Sequence, residues 1–105
     1  MIDMSKLRRE VIRWILLVSL NSARASGGAS ETLLLYMIQA EYPDATPLEI
    51  RGQLEYLADR GLIKLEKRPD GNWFADINHR GVDVVEYSVD CDPGIARPKK
   101  IWPES

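Results

Sequence analysis

Between residues 5 and 22 apolar positions recur at spacings of three and four. Leu7, Val11, Trp14, Ile15 and Val18 fall on one side, which predicts a first helix with that side in the core and Ser5 as its cap. A second stripe, Ile12, Leu16 and Leu20, runs along another side of the same helix. A helix that is apolar nearly all round is either fully covered or part of an interface. This stripe therefore predicts one of two things: cover within the monomer by a later helix over about residues 79–88 or by the tail residues Ile101 and Trp102, or a homodimer through the first helix.

After Arg24, the stretch Ala25-Ser26-Gly27-Gly28-Ala29 reads as a loop. A second helix is predicted from about Ser30, its cap, to Glu41, with Leu33 to Ile38 nearly solid apolar. Tyr42-Pro43-Asp44 ends it, because the residue before proline is pushed out of the helical region. Thr46-Pro47-Leu48-Glu49 is a capping box with proline at the first helical position, and it opens a third helix. Ile50, Leu54, Leu57 and Ala58 form the buried side of that helix, and Gly61 stops it.

Leu62 to Arg68 alternates and Pro69-Asp70-Gly71-Asn72 is a turn, with Trp73 to Ile77 returning as the second strand of a hairpin. Residues 79–89 fit two patterns. Their valines favour a strand by propensity, while Val82, Val85 and Val89 also fit a helical side behind Asn78 as cap.

Composition narrows the classes. With 105 residues, 45% hydrophobic and 29% charged, the chain has the apolar content to build one core, which excludes a disordered chain. We expect a domain over residues 1–90 and a proline-containing basic tail over 91–105. Val11 to Leu20 is too short for a membrane span, and it lacks the cleavage signal of a secretory leader. The single cysteine, Cys91, makes no internal disulfide, which points to a reducing, cytoplasmic setting.

Candidate chemistry is sparse. His79 stands alone, and Cys91 lies between Asp90 and Asp92, whose charges disfavour a thiolate. Gly27-Gly28 lacks the flanking strand and Lys-Ser/Thr of a phosphate-binding loop. No His/Cys spacing suits a metal. The expectation is a protein without catalytic residues, metal, cofactor or small-molecule ligand.

Glu49-Ile50-Arg51 through Leu54, then Tyr56 to Ile63, and finally Trp73 to Gly81 together resemble the winged helix-turn-helix superfamily, especially small regulators of the MarR, ArsR and PadR kind. The resemblance covers roughly residues 7–88. It implies an α+β winged helix: three helices, a two-stranded wing and a short C-terminal helix over 79–88, which decides the ambiguity there. The tail Gly94-Ile95-Ala96-Arg97-Pro98 is similar to that of small proteins of Mu-like prophages.

What the superfamily implies is a transcriptional regulator that binds duplex DNA, its third helix in the major groove and its wing on the backbone. Thr46, Arg51, Gln53, Lys64, Lys67 and Arg68 would then make the contacts. The charges oppose this. The net charge is −2, and the outer side of the third helix carries Leu48, Gly52, Glu55, Tyr56 and Asp59, carboxylates that phosphates repel. The alternative is a protein-contact module in which Ile12, Leu16, Leu20, Leu48 and Tyr56 meet partner chains. A third reading leaves the cations as a solvated surface.

Overall fold

The computed structural model describes residues 3–100. The fold is α+β, with four helices and a three-stranded antiparallel sheet. In chain order the elements are α1 (Met4–Ser22), β1 (Ala29–Ser30), α2 (Glu31–Gln39), α3 (Pro47–Asp59), β2 (Ile63–Lys67), β3 (Trp73–Ile77) and α4 (His79–Val85), with a single 3-10 turn, Arg24–Ser26, between α1 and β1. The sheet order is β1-β3-β2, so β3 is central: Ala75 pairs with Ala29 on one side and Leu65 on the other.

α1 is the pillar of the molecule and packs against α2, α3, α4 and β3. Its core side is Ile12, Leu16, Leu17 and Leu20, each with no exposed surface. Of the two expectations for the second stripe, cover within the chain is the one the structure shows, with α4 among the covering elements. The second stripe is covered within the chain by four elements and offers no contact to another copy. The other side is core only in part: Leu7 and Val18 are exposed and Val11 is half-buried, while Trp14 and Ile15 are half-buried and pack against the core. The two stripes are equally apolar, and only the neighbours decide between them. Ile101 and Trp102 lie outside the described residues.

Local signals set most boundaries. Asp3 rather than Ser5 caps α1, its Oδ1 accepting from the N–H groups of Ser5 (3.0 Å) and Lys6 (3.2 Å). Ser30 Oγ accepts from the Leu33 N–H, and Thr46 Oγ1 from the Glu49 N–H. The reciprocal half of the expected capping box is replaced, because the Glu49 carboxylate takes two hydrogen bonds from Arg8 of α1. At the other end of α3, Gly61 adopts φ +75°, and the N–H groups of Gly61 and Leu62 donate to the carbonyls of Ala58 and Leu57.

Asn78 ties that turn to α4. Its Oδ1 accepts from the Gly81 N–H at 3.1 Å, its Nδ2 donates to the Gly61 carbonyl at 2.6 Å, and its own N–H donates to the Leu62 carbonyl. This cap makes a helix of the valine-rich segment and overrides β propensity, although the helix ends at Val85. β1 was not legible, since two residues show no alternation. Its entry depends on Gly28, at φ +116°, where a Cβ would strike the Ala75 carbonyl of β3.

Gly81 makes a prediction with an inverted sign. In an exposed helix interior, alanine is better than glycine by about 1 kcal/mol. Here an added Cβ would meet the Leu62 carbonyl oxygen, and Ile77 Cγ1 at 2.6 Å. We expect Gly81→Ala to destabilise the fold by about 2 kcal/mol, as overpacking does. Urea denaturation measures it, and a variant more stable than the parent would contradict the packing of α4 on β3.

Candidate functional site

Of the residues expected to touch DNA, Arg51 lies at the junction of α2, α3 and the β2–β3 turn, and most of the six are engaged with other protein groups. Arg51 leaves α3 and is held by the carboxylate of Glu31, in the first turn of α2, through its Nε and Nη2. The same Nη2 donates to the Gly71 carbonyl in the hairpin turn at 2.6 Å, and the guanidinium lies 4.6 Å from the centre of the Trp73 ring. Glu31 also accepts the Trp73 backbone N–H at 3.0 Å. One buried carboxylate therefore locks the start of α2, the middle of α3 and the start of β3 together. The Arg51 hydrogen bonds hold the Glu31 carboxyl below the usual carboxylate range, against the opposing effect of burial.

The others follow the same pattern. Gln53 is buried, and its Oε1 accepts from Arg13 Nε of α1 at 2.8 Å. Lys67 meets Glu55 of α3 at 3.3 Å and sits 4.7 Å from the Trp73 ring centre, so the structure brings Arg51 and Lys67 together around one indole. Arg68 pairs with Glu66 at 2.8 Å and lies over Phe74. Thr46 is occupied as a cap. Lys64 is exposed on β2, with Asp76 opposite it on β3.

On the outer side of α3, Leu48 is 82% exposed and Gly52, Glu55 and Asp59 are exposed with it. Tyr56, expected as a partner contact, is half-buried instead, its ring between the guanidinium groups of Arg13 (3.6 Å) and Arg60 (4.8 Å). The segment after α4 covers it. Arg13 Nη1 donates to the Gly94 carbonyl at 2.8 Å, the Ala96 N–H donates to the Glu10 carbonyl, and Ile95 is buried. Arg97 Nη1 donates to the carbonyls of Val84 and Val89, both at 2.9 Å, and its guanidinium stacks on Tyr87. The tail cation nearest the body is thus spent on holding the tail.

Sequence reasoning missed an apolar surface on α2. Of the run Leu33 to Ile38, only Leu34 and Ile38 are buried, while Leu33 (50%), Tyr36 (66%) and Met37 (48%) face outward. A groove of about 220 Å³ between α1 and α2 is lined by Ser19, Ser22, Ala23, Ala29, Leu33, Leu34 and Met37. The signal was present: a run of six apolar residues is more than the buried side of one surface helix needs.

His79 is exposed, 3.9 Å from Asp83, and burial pushes the half-buried Cys91 thiol up. Among the described residues no cluster of His, Cys, Asp and Glu could hold a metal, and no helix is long and apolar enough to cross a membrane. Comparison of the chain with protein-family models, curated proteins and solved structures finds no match in any of the three.

Proposed function

We propose that this chain is a winged-helix domain that works through protein contacts and does not read DNA. The element order helix, strand, helix, helix, strand, strand, helix and the sheet order β1-β3-β2 support the winged-helix assignment, with the β2–β3 hairpin as wing and α3 in the position of a recognition helix. The observation that carries the functional part is the engagement of the expected DNA contacts within the chain, above all of Arg51 by the buried Glu31. Arg51, Lys67 and Arg68 are each paired with a carboxylate, and Gln53 is buried.

A phosphate contact would have to displace Glu31 from Arg51, leaving a buried carboxylate without its partner. Counterion release, which supplies most nucleic-acid affinity, needs cations that are free to meet phosphates. Glu55 and Asp59 on the outer side of α3 add repulsion. The surface that remains, Leu48 on α3 and Leu33, Tyr36 and Met37 on α2, has the apolar and aromatic character of a protein contact.

Fluorescence anisotropy of a labelled random-sequence duplex at about 50 and 150 mM salt tests this, since phosphate-driven binding weakens steeply between the two. We expect no binding with the full chain at micromolar concentration. Micromolar binding that falls with salt would overturn the proposal and restore the regulator reading.

A further inference from the structure

The apolar surface of α1 and α2 points to a specific occupant. We propose that it is a self-association face, on which α2 packs antiparallel against α2 of a second copy about a two-fold axis near Tyr36 and Met37. This rests on the protein-contact reading above and names its partner.

The first observation is the absence of charge. From Trp14 to Ser22 on α1 and from Thr32 to Ala40 on α2 there is no acidic or basic residue, in a chain that is 29% charged. On the outer sides of these stretches Val18, Leu33, Tyr36 and Met37 are exposed around the α1–α2 groove. Burying such a surface costs little polar desolvation, provided that the opposing face is equally uncharged. This chain carries a face of that kind, and in an isologous contact each copy supplies it to the other.

The second observation is the placement of the charges at the two ends. Arg24 follows Ala23, which lines the groove beside Leu33 and Leu34 in the first half of α2. Glu41 lies just past the other end, after Gln39 and Ala40. Both are exposed, and neither forms an ion pair within the described chain. A helix of the length of α2 spans about 13 Å. Turning a second α2 antiparallel over the first carries Arg24 of each copy toward Glu41 of the other, so the two ends complement each other under a two-fold axis. A parallel arrangement would set like charges against each other. Antiparallel packing also opposes the two helix dipoles favourably.

Sedimentation velocity of the full chain from about 1 to 200 µM tests the proposal, a range in which a contact of moderate affinity changes its occupancy. We expect the weight-average mass to rise from monomer toward dimer. Met37→Glu, at an exposed position, should remain monomeric with an unchanged circular dichroism spectrum. Arg24→Glu and Glu41→Arg should each weaken association by roughly tenfold, as removal of an interfacial charge pair does. The double variant Arg24→Glu/Glu41→Arg should recover most of the parent affinity, which a merely structural role for either residue would not produce.

A wild type that stays monomeric throughout the range overturns the proposal, and the face then belongs to a different protein. So does a double variant weaker than either single one. Neither result touches the protein-contact reading itself, which fails only on salt-sensitive duplex binding.

Discussion

Leu16→Glu is expected to unfold the chain at 25 °C rather than release a folded monomer. Leu16 has no exposed surface and lies between Ile12 and Leu20 on the core side of α1. Removing a buried leucine side chain costs about 2–5 kcal/mol. The glutamate that replaces it must be buried without a partner or be protonated, adding several kcal/mol more. Together these approach the whole stability of a small domain, about 5–15 kcal/mol. Far-ultraviolet circular dichroism with a thermal melt reads the outcome directly. Two controls separate the core from the outer side: Leu16→Met, which conserves volume, should cost less than about 1.5 kcal/mol, and Val18→Glu should stay folded. A cooperative melt with native helicity for Leu16→Glu would show that the stripe is not core.

The same helix shows where sequence reasoning stops. The existence of α1 was legible because either stripe alone has the helical period, but which stripe faces inward depends on elements far along the chain: α3, β3 and α4 pack on α1. Features closed within a few residues were read correctly. The Thr46 cap, the Gly61 stop and the turn at residues 69–72 each need only local chemistry, whereas the helix behind Asn78 is ambiguous in its local pattern and follows only from the resemblance. Ser5 and the second half of the capping box failed because a better partner stood nearby, Asp3 in one case and Arg8 in the other.

The site suffered most, for an electrostatic reason. A cation in a sequence looks available to any anion. Arg51 is instead claimed by Glu31, and Gln53 by Arg13, partners twenty and forty residues away. The acidic character of α3 is visible in the sequence, where Glu55 and Asp59 oppose a phosphate contact. That Glu31 is the acid which ties the β2–β3 hairpin to the helices is not visible in the sequence, since at the first turn of α2 it looks like an ordinary partner of the helix dipole.

Glu31 carries the second large effect. Its carboxylate accepts two hydrogen bonds from Arg51 and one from the Trp73 backbone, and the residue is only 8% exposed. Glu31→Ala leaves a backbone N–H at the start of β3 and a guanidinium without their acceptor, for which we expect a loss of about 2–3 kcal/mol. Glu31→Gln keeps an acceptor and the shape of the side chain while removing the charge, and should cost less. The pH dependence gives the sharper test. Arg51 depresses the Glu31 pKa in the folded state, so the unfolded chain takes up the proton first as pH falls. The stabilisation is therefore complete above the ordinary carboxylate range, near pH 4.3, and is lost as pH falls through the lower, folded-state value. Urea denaturation of the parent and Glu31→Gln should show the widest gap at pH 7 and a narrowing gap below about pH 4. A gap that is constant with pH would mean that the charge on Glu31 contributes nothing, and that Arg51 is not held in the folded chain as the structure places it.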